Sequence, residues 1–141
     1  MKQIIALILT FGIINTYGQS NAELADKNPI HELRIYQIPK GKEQAFHERF
    51  REHAYRIMKK YNFQILAMWK SELDKNAEFV YLLEWENEST MKKAWENFRA
   101  DDDWKNIKAE SAKIHGTLVN DIQDRMLILT DYSPRKILAI E

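Results

Sequence analysis

His53 is the side chain best placed to do chemistry. It lies seven residues after Phe46 and four before Ile57, on the apolar stripe of a helix, where an imidazole can act as a base or a hydrogen-bond donor. The plainer reading is a core histidine satisfied by a neighbour. Arg34 and Tyr36 share one face of a strand, because side chains two apart point the same way. They suit either a ligand's carboxylate or enolate oxygen or a buried ion pair, for example with Glu84. All four tryptophans fall between Trp69 and Trp104. Tyr81 and Trp85 share a strand face and Trp104 opens the last helix, so these rings line either a flat ligand's pocket or the core.

Other chemistries are excluded by residue type. The chain has no cysteine, so no thiolate metal site or thiol nucleophile can form. Its four histidines, at 31, 47, 53 and 115, show no i, i+4 pair and no metalloprotease motif, and neither metal nor cofactor is expected. Asp101, Asp102 and Asp103 are adjacent at a helix start, where capping explains them better than a metal does. No nucleophile elbow is present, and four glycines cannot build a phosphate-cradling loop.

These side chains need elements to position them. His31 to Ile38 is rich in β-branched and aromatic residues, stops at Pro39, and reads as a strand. After Gly41 a helix runs to about Tyr61, with Phe46, Phe50, Ala54, Ile57, Met58 and Tyr61 at helical spacing. Phe63 to Leu73 and Glu78 to Glu86 form a hairpin about Asp74, Lys75 and Asn76. Asn87 and Ser89 can cap a helix striped by Met91, Ala94, Trp95 and Phe98. Asp101 caps a second one striped by Trp104, Ile107, Ser111, Ile114 and Leu118. Asp124 to Tyr132 is the last strand, closed by Pro134. The order is the α+β, ferredoxin-like βαββαβ arrangement.

With 141 residues, 21 basic and 21 acidic side chains and 45% hydrophobic content, the chain suits one globular domain and no nucleic-acid partner. Lys2, the apolar run Ile4 to Ile14 and the small residues Thr16 and Gly18 form a secretory signal pattern cut near Gly18. That run is too short to span a bilayer. The expected plan is a signal peptide at 1–18, a leader at 19–30, a domain at 31–134 and a tail at 135–141. The product is secreted or periplasmic, with no membrane anchor after cleavage. Ile65 to Trp69, Phe79 to Leu83 and Met126 to Leu129 are continuous apolar runs, although a sheet with one wet face should alternate. Helices cover one face. A second copy on the other, making a homodimer, is the simplest cover, and the short piece Lys136 to Ile140 is the alternative.

Glu32-Leu33-Arg34-Ile35-Tyr36, then Lys40-Gly41-Lys42, then Phe50 and His53, resemble the NIPSNAP family. So do Leu82 through Trp85 leading into a helix, Ala100-Asp101-Asp102-Asp103-Trp104 against that family's Ala-Asp-Pro-Glu-Trp signature, and Leu127 to Pro134 against its closing strand. The resemblance covers about residues 31–134. It implies a dimeric α+β barrel and hands over no activity. Relatives of that fold include cofactor-independent monooxygenases and haem-degrading enzymes, with a ligand between sheet and helices. Within a turn of the place where the haem-degrading relatives carry a histidine ligand, this sequence has Lys108, with His115 about two turns further on. The same resemblance turns the Arg34 and Tyr36 face toward the pocket. Two functions follow as expectations. One is a binder of a small apolar, oxygenated molecule, with His53 as base, Arg34 and Tyr36 on developing oxyanion charge, and Tyr81, Trp85 and Trp104 shaping the pocket for proton transfer or cofactor-free oxygenation. The other is a non-catalytic interaction module.

Overall fold

The computed structural model describes residues 29–134. The expected signal peptide, the expected leader up to residue 28 and the tail at 135–141 lie outside the described residues. Strand β1 spans Ile30–Ile38. Helix α1 follows in three parts: α-helical over Glu43–Arg49, widened to a π-helix over Phe50–Ala54, and α-helical again over Tyr55–Lys60. Strands β2 (Gln64–Leu73) and β3 (Asn76–Trp85) form the hairpin. Helices α2 (Glu88–Ala100) and α3 (Asp102–His115) precede β4 (Asp121–Leu127).

Local chemistry sets most of these boundaries. Asn62, just past α1, takes φ +60°, a left-handed exit that asparagine tolerates. Leu73 pairs with Asn76, and Asp74 and Lys75 both have positive φ. That is a two-residue hairpin turn whose twist matches the strands. Asn87 caps α2 by accepting the Thr90 N–H at 2.9 Å. Asp101 caps α3 by accepting the Trp104 N–H at 2.9 Å.

The sheet runs β2-β3-β1-β4 with every neighbouring pair antiparallel. This is the expected ferredoxin-like α+β fold. Register divides the side chains between two faces. One carries Ile30, Glu32, Arg34, Tyr36 and Ile38 of β1 beside Phe79, Tyr81, Leu83 and Trp85 of β3. Helical rings cover it: Phe50 meets Phe79 at 4.6 Å between centroids, and Phe63 meets Trp85 at 4.8 Å and Trp95 at 4.7 Å. The opposite face carries Leu33, Ile35, Val80 and Leu82, all half-buried, with Trp69, Leu73 and Leu127 exposed around them.

Three expectations need correction. The last strand lies three residues early, at Asp121–Leu127, not Asp124 to Tyr132. An edge strand extends only as far as its partner offers backbone groups. Here the β1–β4 ladder begins at Gln37↔Asp121 and closes at His31↔Leu127, next to the first residue of β1. The apolar run Met126 to Leu129 therefore outlasts the pairing. The stripe on α3 is only partly core: Trp104 is buried, Ile107 and Ser111 are half-buried, Ile114 is 73% exposed, and Leu118, buried as expected, lies past the helix end at His115. Arg34 does not pair with Glu84, because the two point to opposite faces of the sheet. Glu84 binds the His31 ring at 2.9 Å on the far side.

Candidate functional site

The π-helical turn is the local feature that shapes the site. A widened turn inserts an extra residue and shifts the side-chain register beyond it, and such turns are frequent at functional sites. Phe46, Phe50, Ala54, Ile57 and Met58 stay in the core. His53 leaves the middle of that stripe and is only half-buried. It faces a groove of about 410 Å3 between α1 and α3, lined also by Ala45, Arg49, Ile107, Ser111 and Ile114. The open lower half of the α3 stripe is thus one wall of a concavity.

Arg49 connects this groove to the interior. Its guanidinium lies 5.7 Å from the Trp104 ring centroid, and its side-chain hydrogen bond among the described residues goes to Ser111 Oγ at 3.5 Å. Burial lowers its pKa from the ordinary guanidinium value, with Tyr36 acting the other way. Behind it sits a second, enclosed cavity of about 40 Å3, lined by Tyr36, Phe46, Phe50, Trp95 and Trp104 among others. Arg49 is the residue that lines both spaces.

Deeper still is a polar cluster on the covered face. The Glu32 carboxylate accepts the indole N–H groups of Trp95 (2.8 Å) and Trp85 (3.0 Å) on one oxygen and the Arg34 guanidinium (3.1 Å) on the other. Arg34 also lies 3.5 Å from Asp124 and stacks over Trp95 at 4.3 Å from the ring centroid. Burial acts to lower the Arg34 pKa, but Tyr36, Tyr81 and Glu32 outweigh it and hold the guanidinium above its usual value. Next to this, the Tyr36 and Tyr81 hydroxyls share a hydrogen bond of 2.9 Å. Burial, then Tyr36, push the Tyr81 phenol well above its ordinary pKa.

The six residues expected at the site divide accordingly. Tyr36 and Trp104 line the inner cavity and His53 lines the outer groove, while Arg34, Tyr81 and Trp85 lie in the hydrogen-bonded layer around Glu32 and Tyr36. His53 and Arg34 are not brought together. Two participants went unremarked in the sequence. Arg49 sits four residues before His53 and three after Phe46, at the flank of the apolar stripe, and that spacing was its signal. Glu32 stands two residues before Arg34 on the same strand face, within reach of its guanidinium. Among the described residues, no group of three potential ligands is arranged to hold a metal ion.

The NIPSNAP family model matches residues 31–134, which take in every strand and helix of the sheet and its cover but Ile30, the first residue of β1. The chain belongs to the NIPSNAP family. A crystal structure of an uncharacterized NIPSNAP-like domain protein from Burkholderia xenovorans superposes with a TM-score of 0.65 at 16% identity, covering 78% of this chain and 92% of its own. A NIPSNAP family protein from Agrobacterium tumefaciens gives 0.65 at 19% identity, covering 77% and 91%. A dimeric ferredoxin-like protein from an uncultured marine organism gives 0.50 at 10% identity, covering 82% and 100%. These likenesses establish the fold. No match was found among the curated proteins. Within this NIPSNAP domain, then, the groove, Arg49 and the Glu32 cluster must speak for themselves.

Proposed function

We propose that this NIPSNAP chain is exported, pairs as a homodimer, and binds a small apolar, oxygenated molecule, not between helices and sheet as the resemblance implied but in the groove between α1 and α3. The observation that carries the reading is the groove of about 410 Å3, which combines apolar walls with the polar groups of Arg49, His53 and Ser111. Its volume is that of a small-molecule site, and a few convergent polar groups on apolar walls are what orient a ligand. In turnover His53 is the base, drawing a proton from an activated carbon or hydroxyl, and Arg49 stabilises the oxygen charge that develops. Proton transfer and cofactor-independent oxygenation both begin with that step. Dimerisation is supported by the half-buried apolar face of Leu33, Ile35, Val80 and Leu82, and export by the N-terminal signal pattern.

The test is native mass spectrometry of the protein purified from a bacterial periplasm. A dimer lacking about the first eighteen residues and carrying a reproducible small adduct, which His53→Gln weakens, is the expected result. An empty protein whose tryptophan fluorescence is unmoved by a panel of aromatic acids, ketones and quinols would overturn the binding reading.

One observation favours the second reading, a non-catalytic interaction module. Arg34 is already committed to Glu32 and Asp124 within the fold. On that reading Arg34→Ala lowers stability and has no ligand-dependent effect.

A further inference from the structure

We propose that Arg49 reads the charge of the ligand, and that the ligand is a flat carboxylate whose apolar body lies along Ala45, Ile107 and Ile114. This rests on the reading that the groove binds a small molecule, and it adds the ligand's chemical class.

Other described cations have carboxylate partners. Arg34 has Glu32 at 3.1 Å, Lys60 has Asp101 at 2.7 Å and Arg56 has Asp103 at 2.7 Å. Arg49 is half-buried and its described hydrogen bond is to a neutral hydroxyl at the long limit of 3.5 Å. No carboxylate among the described residues bears on it. Two carboxylates line the groove, and neither pairs with Arg49 among the described residues: Glu110 holds Lys113 at 2.7 Å, and Glu48 is exposed at the rim. A half-buried guanidinium without a counter-charge bears a desolvation cost that a bound anion removes.

The shape of the site selects among anions. The Arg49 guanidinium lies 5.7 Å from the Trp104 ring centroid, and its planar fork of N–H groups has only the long bond to Ser111 among the described residues. A carboxylate matches that fork with two parallel hydrogen bonds. Beside it the wall is apolar: Ala45 and Ile107 are half-buried, and Ile114 is 73% exposed to the groove and solvent. A charged oxygen pair on a flat hydrocarbon body satisfies both halves of the site. A neutral ligand leaves the cation unpaired.

The experiment uses the full-length protein and two probes of the same shape, 2-naphthoate and 2-naphthamide, titrated by calorimetry and tryptophan fluorescence against wild type, Arg49→Gln and Arg49→Lys. Hydrogen bonds to charged groups predict that wild type binds the carboxylate about tenfold to a hundredfold more tightly than the amide. R49Q should abolish the preference, and R49K, which keeps the charge but not the fork, should retain part of it. Equal binding of both probes by wild type overturns the charge assignment while leaving the groove a binding site, and that arm stands even if R49Q fails to fold. A preference that survives R49Q in a folded variant overturns the role of Arg49. Binding of neither probe overturns this inference and the reading beneath it together.

Discussion

The Trp95 indole N–H donates to the Glu32 carboxylate at 2.8 Å, a bond that ties α2 to β1 across 63 positions of sequence. The same oxygen accepts the Trp85 indole at 3.0 Å, and its partner oxygen accepts Arg34 at 3.1 Å. One buried carboxylate thus joins two strands and a helix, and one of its partners, Trp95, lines the inner cavity. A buried charge is tolerated only when it is paired and hydrogen-bonded, and each of the three donors meets that need.

Glu32→Ala is therefore expected to be severe. It strands two indole N–H groups and leaves the half-buried Arg34 with Asp124, at 3.5 Å, as its remaining carboxylate among the described residues. Breaking a buried pair by removing one partner costs about 3–5 kcal/mol. Urea denaturation should show the loss as a lower midpoint with an unchanged slope. A loss under about 1 kcal/mol would mean that the cluster contributes little to holding α2 on the sheet.

Asp101 predicts an acid limb to the stability curve. Its carboxylate accepts Lys60 and Tyr61, both at 2.7 Å, and the Trp104 N–H at 2.9 Å, and these bonds hold its pKa well below the ordinary aspartate value. Above about pH 5 the group is ionised in both folded and unfolded chains, and the stabilisation is complete. As the pH falls below that, the unfolded chain takes up the proton first, so stability declines until the folded carboxylate is also protonated. Asp101→Ala should lose about 1 kcal/mol at neutral pH for the cap and show a flatter profile below pH 4. Denaturation midpoints taken across pH 2 to 7 decide it, and parallel curves for the two proteins would contradict the assignment.

Tyr81 sets the opposite limb. Burial pushes its phenol pKa up, so the folded state keeps the proton that the unfolded chain releases above about pH 10. Stability from this group is complete below that pH and is lost as the pH rises toward the folded value. In Tyr81→Phe the alkaline decline should be shallower. Tyr36 then loses its 2.9 Å partner, and the neutral-pH cost should be about 1 kcal/mol. Spectrophotometric titration of native protein and variant, with thermal melts from pH 8 to 11, measures both. An equally steep decline in the variant would assign the limb to other groups.

The proposed dimer makes a prediction at Leu82, half-buried at the centre of the open sheet face. A charge there should block face-to-face pairing without touching the helix-covered core. Leu82→Glu is expected to halve the solution mass while preserving the circular dichroism spectrum. Wild type that sediments as a monomer at micromolar concentration, or a variant that remains dimeric, would place no second copy on this face.

Much of the fold was legible because its signals are local. Caps at Asn87 and Asp101, the turn at Asp74 and Lys75 and the period of Phe46, Phe50, Ala54 and Ile57 act over three or four residues. The closing strand was misplaced for the converse reason. Its limits come from the backbone of β1, some ninety positions away, and not from its own apolar run.

The site divides along the same line. Sequence by itself determined the βαββαβ order, the side of β1 that Arg34 and Tyr36 share, and the family, since each follows from spacing that no distant contact can alter. Tertiary structure decided the partners. Arg34 meets Glu32 and not Glu84 because strand register assigns side chains to faces. His53 reaches a groove and not the core because a π-helical turn shifts the register of α1. Arg49 lacks a described counter-charge because the open end of the α3 stripe offers it Ser111 where a carboxylate would have closed the site. Which charges remain for a ligand depends on how elements far apart in the chain come to rest, and local periodicity carries no record of that.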